Sequence, residues 1–188
     1  MAARGTPANL ALGPGYTYVA DLGTTEPTDL VTAWSTVSVN WVLIGYTDQG
    51  SEFHYTINTD VVDVAEELDP LSYQTTGRTG NVQFAMAEIT ATNLKRAMNA
   101  PNSSITAGAG IVSFEPPDTG QEVRRMLGWE SEDHTERWIF RQCFQGGDVN
   151  IQRRKGATNA TITTQYNLEK PATGARLFKA IMVSPGRA

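Results

Sequence analysis

Cysteine and histidine are nearly missing from this chain of 188 residues, which holds one cysteine, Cys143, and two histidines, His54 and His134. One cysteine excludes an internal disulfide, so the fold must rest on its own core. A zinc centre takes three or four Cys or His ligands, and these residues are too few and too far apart to supply one. No apolar run reaches the ~20 residues of a membrane-spanning helix. The N-terminal stretch up to Val19 lacks the apolar centre of a secretory signal, and the expectation is a soluble protein made in a reducing cytoplasm. Basic residues are outnumbered, 15 Lys and Arg against 20 Asp and Glu, for a net charge of -5. That excludes a dedicated nucleic-acid-binding module, which needs cations for the phosphate backbone. An acidic wall can still let nucleic acid pass without holding it.

Apolar residues and turn formers are present in quantity. Hydrophobic residues make up 40% and charged residues 19%, with 17 Gly and 9 Pro. Such a chain folds rather than staying disordered, and its length suits one domain, residues 1–188. Frequent Thr, Val and aromatics suit pleated, half-buried surfaces. Residues 1–15 read as an N-terminal arm. Short strands are expected at 16–19, at the apolar run 41–46 and at the alternating 52–57, with a turn at Asp48-Gln49-Gly50 making the last two a hairpin. Residues 60–69 fit a strand or a helical turn, and 70–80 read as a polar, turn-rich stretch. Alternation returns at 81–89. A helix follows, with Thr90 as N-cap and Asn99 and Pro101 as stop signals. A Ser/Ala/Gly loop spans 102–110. Further strands are expected at 111–114, 122–129, 136–143, 148–153, 160–166 and 177–183. Strands at this density with one helix predict a mainly β fold, an antiparallel sandwich or barrel with one flanking α-helix.

Catalytic groups are hard to assemble from this inventory. His54 lies on the strand face opposite Phe53 and Tyr55, where a surface residue is expected. His134 and Cys143 make a nucleophilic pair only if 129–143 folds back to join them; a buried, inert cysteine is the expectation. The acidic group Asp60, Asp63, Glu66, Glu67 and Asp69 has neither the spacing of a calcium loop nor paired catalytic geometry. It reads as a solvated or subunit-facing surface, and so does the second group, Glu130, Glu132, Asp133 and Glu136. The expectation is no enzyme, no cofactor and no metal. Basic residues cluster at Arg124-Arg125 and at Arg153, Arg154 and Lys155. Complementary acidic and basic surfaces orient copies of one subunit when they dock. Trp34, Trp41, Trp129 and Trp138 serve the core, an interface or both.

The order of motifs adds to this. Trp41, Gly45, Tyr46, Thr47 and Gly50 make a W-x-x-x-G-Y-T-x-x-G pattern. The acidic 60–69 segment, Asp69-Pro70, a GRTG turn and the unit VQFAMAEITATNLKRAM, with Phe84, Glu88 and Leu94, follow it. Thr25-Glu26-Pro27 supplies an early Pro-containing turn. This succession resembles the major tail tube proteins of long-tailed, siphovirus-type bacteriophages, well over the first 100 residues and loosely beyond. The resemblance implies a tail-tube-type β-sandwich whose copies form hexameric rings stacked around a tape measure protein. The ring channel would conduct genomic DNA without sequence-specific binding. A tail terminator and a distal tail protein would be further partners, with no membrane. The location would be the virion tail, after synthesis in the bacterial cytoplasm. It also implies inter-ring contacts from residues 1–15 and from an extended loop at about 58–80. Candidate inter-subunit residues are Tyr16, Asp60, Asp63, Glu66, Glu67, Arg78, Arg153, Arg154 and Lys155. The alternatives are another self-assembling virion protein, such as a tail terminator or a capsid decoration, and a β-sandwich binding module.

Overall fold

The structure, a computed structural model, describes residues 14–66, 68–151, 153 and 160–183. It is mainly β: β1 (Gly15–Asp21), β2 (Val42–Leu43), β3 (Thr47–Val62), β4 (Ser72–Met86), β5 (Ile105–Gly108), β6 (Ile111–Phe114), β7 (Arg125–Ser131), β8 (Glu136–Gln145), β9 (Ile162–Leu168) and β10 (Phe178–Met182). A short helical turn, α1 (Trp34–Val37), lies in the β1–β2 connection, and α2 (Ala91–Ala97) follows β4. The main sheet is antiparallel, in the order β2-β1-β7-β8-β9-β4-β3, while β5 and β6 pair apart from it. β8 branches the sheet: beyond its pairing with β7, its first half pairs with β10 and its end pairs with β9.

Period-two alternation decides what each face buries. Val19, Leu127 and Phe140 point to one side and join Val82, Phe84, Met86, Ile162 and Tyr166 in the larger core. Phe84 stacks on Tyr166 with ring centroids 5.6 Å apart. The neighbouring residues Ala20, Met126 and Ile139 point to the other side and join Trp34 and Trp41. The segment between β1 and β2 therefore covers the second face of β1, β7 and β8. Gly128 makes that cover possible, because a Cβ there would run into the Trp34 ring. The flanking helix is capped as its sequence predicts: Thr90 Oγ1 accepts the Asn93 N–H at 3.1 Å, a cap worth about 1 kcal/mol.

Several local expectations change. The run 41–46 is not one strand. Val42 and Leu43 pair with Val19 and Tyr18, and Ile44 turns into the core. Asp48-Gln49-Gly50 does not close a hairpin between 41–46 and 52–57. Gln49 and Gly50 take φ of 59° and 80°, and they bulge out between the paired residues Asp48 and Ser51, all inside β3. Turn-forming residues are equally at home in such a bulge. Residues 72–80 are strand, not turn, because they pair with 55–62, and Tyr73, Thr75, Thr76 and Thr79 suit the pleated surface that results. Residues 105–108, expected in a loop, pair with 111–114. From 148–153, Ile151 makes an isolated bridge to Ile162.

Candidate assembly interface

β3 and β4 are the longest strands, of 16 and 15 residues, and they pair from Thr47–Met86 out to Val62–Ser72. β9 accompanies β4 only along 81–86. The outer half of this hairpin, which carries most of residues 58–80, therefore has no neighbouring strand among the described residues. The core face of the inner hairpin, Phe53 opposite Val82, continues outward through Tyr55, Ile57 opposite Arg78, and Val61 opposite Tyr73. Ile57 is 52% exposed and Tyr73 67%. An apolar stripe thus leaves the core and runs into solvent.

The opposite face of the same strands is polar, with its few charges mainly acidic and all on β3. Across β3, β4 and β9 it presents Thr56, Thr79, Asn81, Gln83, Thr163, Gln165 and Asn167 by register. Gln83 donates to Asn81 and to Gln165, each at 3.3 Å. The charged residues on this face of β3 are Asp48, Glu52 and Asp60, with His54 bonded to Glu52 at 3.0 Å.

The motif residues separate into two groups. One group fastens the hairpin's root. Gly45 has φ of 102°, and a Cβ there would come 2.5 Å from the Glu88 carboxylate. That close approach lets Glu88 Oε1 accept the Tyr46 N–H at 3.2 Å. Asn93 on α2 donates to the carbonyls of both Ile44 and Glu88, so the β2–β3 connection, the segment after β4 and the helix meet at one point. Thr47 opens the β3–β4 pairing opposite Met86. Leu94 and Phe84 pack in the larger core. Trp41 Nε1 donates to the Thr25 carbonyl at 2.8 Å, which ties the Thr25-Glu26-Pro27 turn to the cover. The second group lies away from the root: Tyr46 and Pro70 are exposed, the latter in the turn between β3 and β4, and Gly50 is half-buried in its bulge.

Of the candidate contact residues, Asp60 and Arg78 lie on the outer hairpin, and Asp63 and Glu66 in the connection at its tip, all exposed. Tyr16 is exposed on β1, and Arg153 is exposed. Glu67, Arg154, Lys155 and residues 1–13 of the arm lie outside the described residues.

The second acidic group is not a uniformly solvated surface. Glu130 is buried, accepting from Arg137 Nε at 3.0 Å and Nη2 at 2.8 Å, and from Trp34 Nε1 at 2.6 Å. Arg137 also donates to the Asp29 and Thr32 carbonyls, at 3.0 and 2.7 Å, locking the cover segment to the sheet. Sequence alone missed this pair, because β7 is covered on both faces and the face that carries Glu130 is covered by a segment distant in sequence. His134 binds Glu130 at 2.8 Å in the β7–β8 turn, whereas Cys143 is buried at the other end of β8, where Arg125 is its partner. The two do not meet. Burial pushes the Cys143 thiol far above its ordinary pKa, and Sγ approaches the Phe140 carbonyl at 3.8 Å. Arg124 and Arg125 are also engaged, the first with Glu169 and the second with Asp21.

No curated protein matches the chain. A family model described as phage tail tube protein matches residues 6–169, a span that holds β1 to β9 and the flanking helix. By that match and its mainly β sandwich fold, the chain belongs to the phage tail tube protein family, structural proteins of the phage tail.

Proposed function

We propose that the chain is the wall subunit of a siphovirus-type tail tube, in which six copies close a ring and rings stack around a tape measure protein. The observation that carries this reading is the outer β3–β4 hairpin, with its bare strand edges and an apolar stripe running away from the core. A two-stranded ribbon is marginal by itself in water, and a long free edge invites pairing with another chain. A subunit that polymerises buries both features in its neighbours. Rotational closure gives the ring and a heterologous contact gives the stack.

The part of that polar face flanked by β9, short of Asp60 and the outer hairpin, then turns to the channel. Amides and hydroxyls keep such a wall wet, and with few cations it has little to hold phosphate. DNA passes along it without a binding step. A tail terminator and a distal tail protein close the two ends, and the tube belongs to the virion after synthesis in the host cytoplasm.

Electron microscopy of the purified full chain, across concentration and salt, tests the reading. Hollow tubes or stacked six-fold rings are expected. A chain that stays monomeric under every condition overturns it.

A further inference from the structure

A cavity of about 210 Å³ opens beside α2, where the end of β1, the β1–β2 connection and the start of β7 converge. Three cations line it: Lys95 and Arg96 from α2 and Arg125 from β7. One carboxylate, Asp21, is among the described lining residues, which leaves an excess of two positive charges in a chain whose net charge is -5.

Of these groups only Arg125 has a carboxylate partner among the described residues. Arg125 Nη1 meets Asp21 at 3.0 Å and Nη2 donates to the Ala100 carbonyl at 2.6 Å. Its Nε is buried with no hydrogen-bond partner among the described residues. Arg96 is 6% exposed, and its Nη1 donates to the neutral Asn93 Oδ1 at 2.9 Å. Lys95 Nζ donates to another neutral amide, Asn102, at 2.7 Å. Desolvation, and then the neighbouring Arg125 and Arg96 charges, lower the Lys95 pKa. Burial acts in the same direction on Arg96; Tyr166 opposes it, and Arg125 adds a smaller lowering influence. Crowded cations of this kind favour an added anion.

From the charge and shape of these two surfaces, we propose that the pocket receives the acidic tip of a second copy's β3–β4 hairpin. This docking rests on the tube reading above. The tip carries Asp60, Asp63, Glu66 and Asp69, and none of them is within ion-pair distance of a cation among the described residues. Tyr55–Val62 extend the hairpin by about 26 Å at ~3.3 Å per residue, far enough to leave its own subunit. Apolar residues match as well. Val39 and Val42 are exposed on the pocket rim, and Val61, Val62 and Val64 are exposed around the tip carboxylates. The contact joins unlike surfaces, so it propagates from copy to copy instead of closing a pair.

Charge reversal with rescue in the full chain tests the docking. Lys95→Glu alone and Asp60→Lys/Asp63→Lys alone should each raise the concentration needed for tube formation by about tenfold or more, the scale of a close charge pair across an interface. Combining the two sets in one chain should restore most of that loss. A cysteine at Asn40 and another at Asp63 should give inter-copy disulfides in assembled wild-type-like tubes, with the native Cys143 too buried to compete. These crosslinks are the readout if a reversal variant fails to fold. Tubes that form without crosslinks, or folded single reversals that assemble normally, overturn the docking and leave the tube reading standing. Folded single reversals that lose assembly without rescue in the combined variant also overturn the pairing. A wild-type chain that never assembles overturns both.

Discussion

The β7–β8 ribbon and the outer half of the β3–β4 hairpin are both antiparallel pairs, yet they have opposite surroundings. β7 and β8 are covered twice, by the larger core on one face and by the Trp34–Trp41 segment on the other. The outer hairpin is exposed on both faces. Their sequences reflect this. β7 and β8 carry buried charges that must be paired, Glu130 with Arg137 and Arg125 with Asp21. The outer hairpin carries charges that need no partner while water surrounds them, together with apolar side chains that gain nothing there. The first region stabilises the monomer. The second makes sense when another chain covers it.

The comparison predicts its largest stability effect at Glu130. Glu130→Ala leaves Arg137, 2% exposed, with only the half-exposed Asp29 carboxylate, at 4.0 Å, to balance its buried charge. Loss of one partner of such a pair costs about 3–5 kcal/mol, read as a lower urea midpoint. An unchanged midpoint would mean that the cover segment opens freely to water. Gly128→Ala comes next. Its methyl meets the Trp34 ring, and overpacking of this kind costs about 1–3 kcal/mol, with altered tryptophan fluorescence as a second readout. Thr90→Ala removes the α2 cap at a cost of about 1 kcal/mol; a larger loss would show that the hairpin root depends on the helix as much as the core does.

A pH effect within the cover segment ranks below these. Hydrogen bonds from the Thr32 N–H and hydroxyl, and from the Val31 N–H, hold the exposed Asp29 carboxyl below its ordinary 3.8. A depressed folded pKa contributes stability above the unfolded value, and that contribution is lost as pH falls through the lower folded value. Asp29→Asn should therefore remove that contribution at neutral pH and flatten the acid limb of the stability curve below about pH 4. Titration of the urea midpoint against pH measures it.

Many strand positions were readable, though not their order in the sheet, because alternation marks the residues that share a face. β6 matches its expected span, and Thr90 caps the helix it was expected to cap. The long hairpin was not readable as a hairpin, because 72–80 has strand formers but few apolar residues and two glycines, the composition of a loop. Its strand character comes from pairing with 47–62, a contact the local sequence does not reveal. The bulge at Gln49-Gly50 was hidden for the related reason that turns and bulges use the same residues. Among the family-pattern residues, Gly45 and Glu88 were visible as positions but not as a pair, since they are distant in sequence and joined by a close backbone approach. The basic pocket was divided in the sequence between a helix end and a strand, and Lys95 and Arg96 had a sufficient local reason to be there in the helix dipole.

The smallest expected stability effect belongs to the outer hairpin, and it separates the two regions most sharply. Ile57→Ser with Tyr73→Ser removes apolar surface that is already in water in the single subunit. Exposed substitutions away from caps and buried groups usually stay within about 0.5 kcal/mol, so the urea midpoint should barely move. Assembly should respond quite differently, because the same side chains are buried only when a neighbour covers the stripe. Loss of tubes by electron microscopy at an unchanged midpoint is the expected result. A large fall in the midpoint would show that the stripe is already buried within the subunit. Normal tubes at a normal midpoint would move the assembly contact elsewhere, leaving the free strand edges of the hairpin, rather than its apolar face, to carry it.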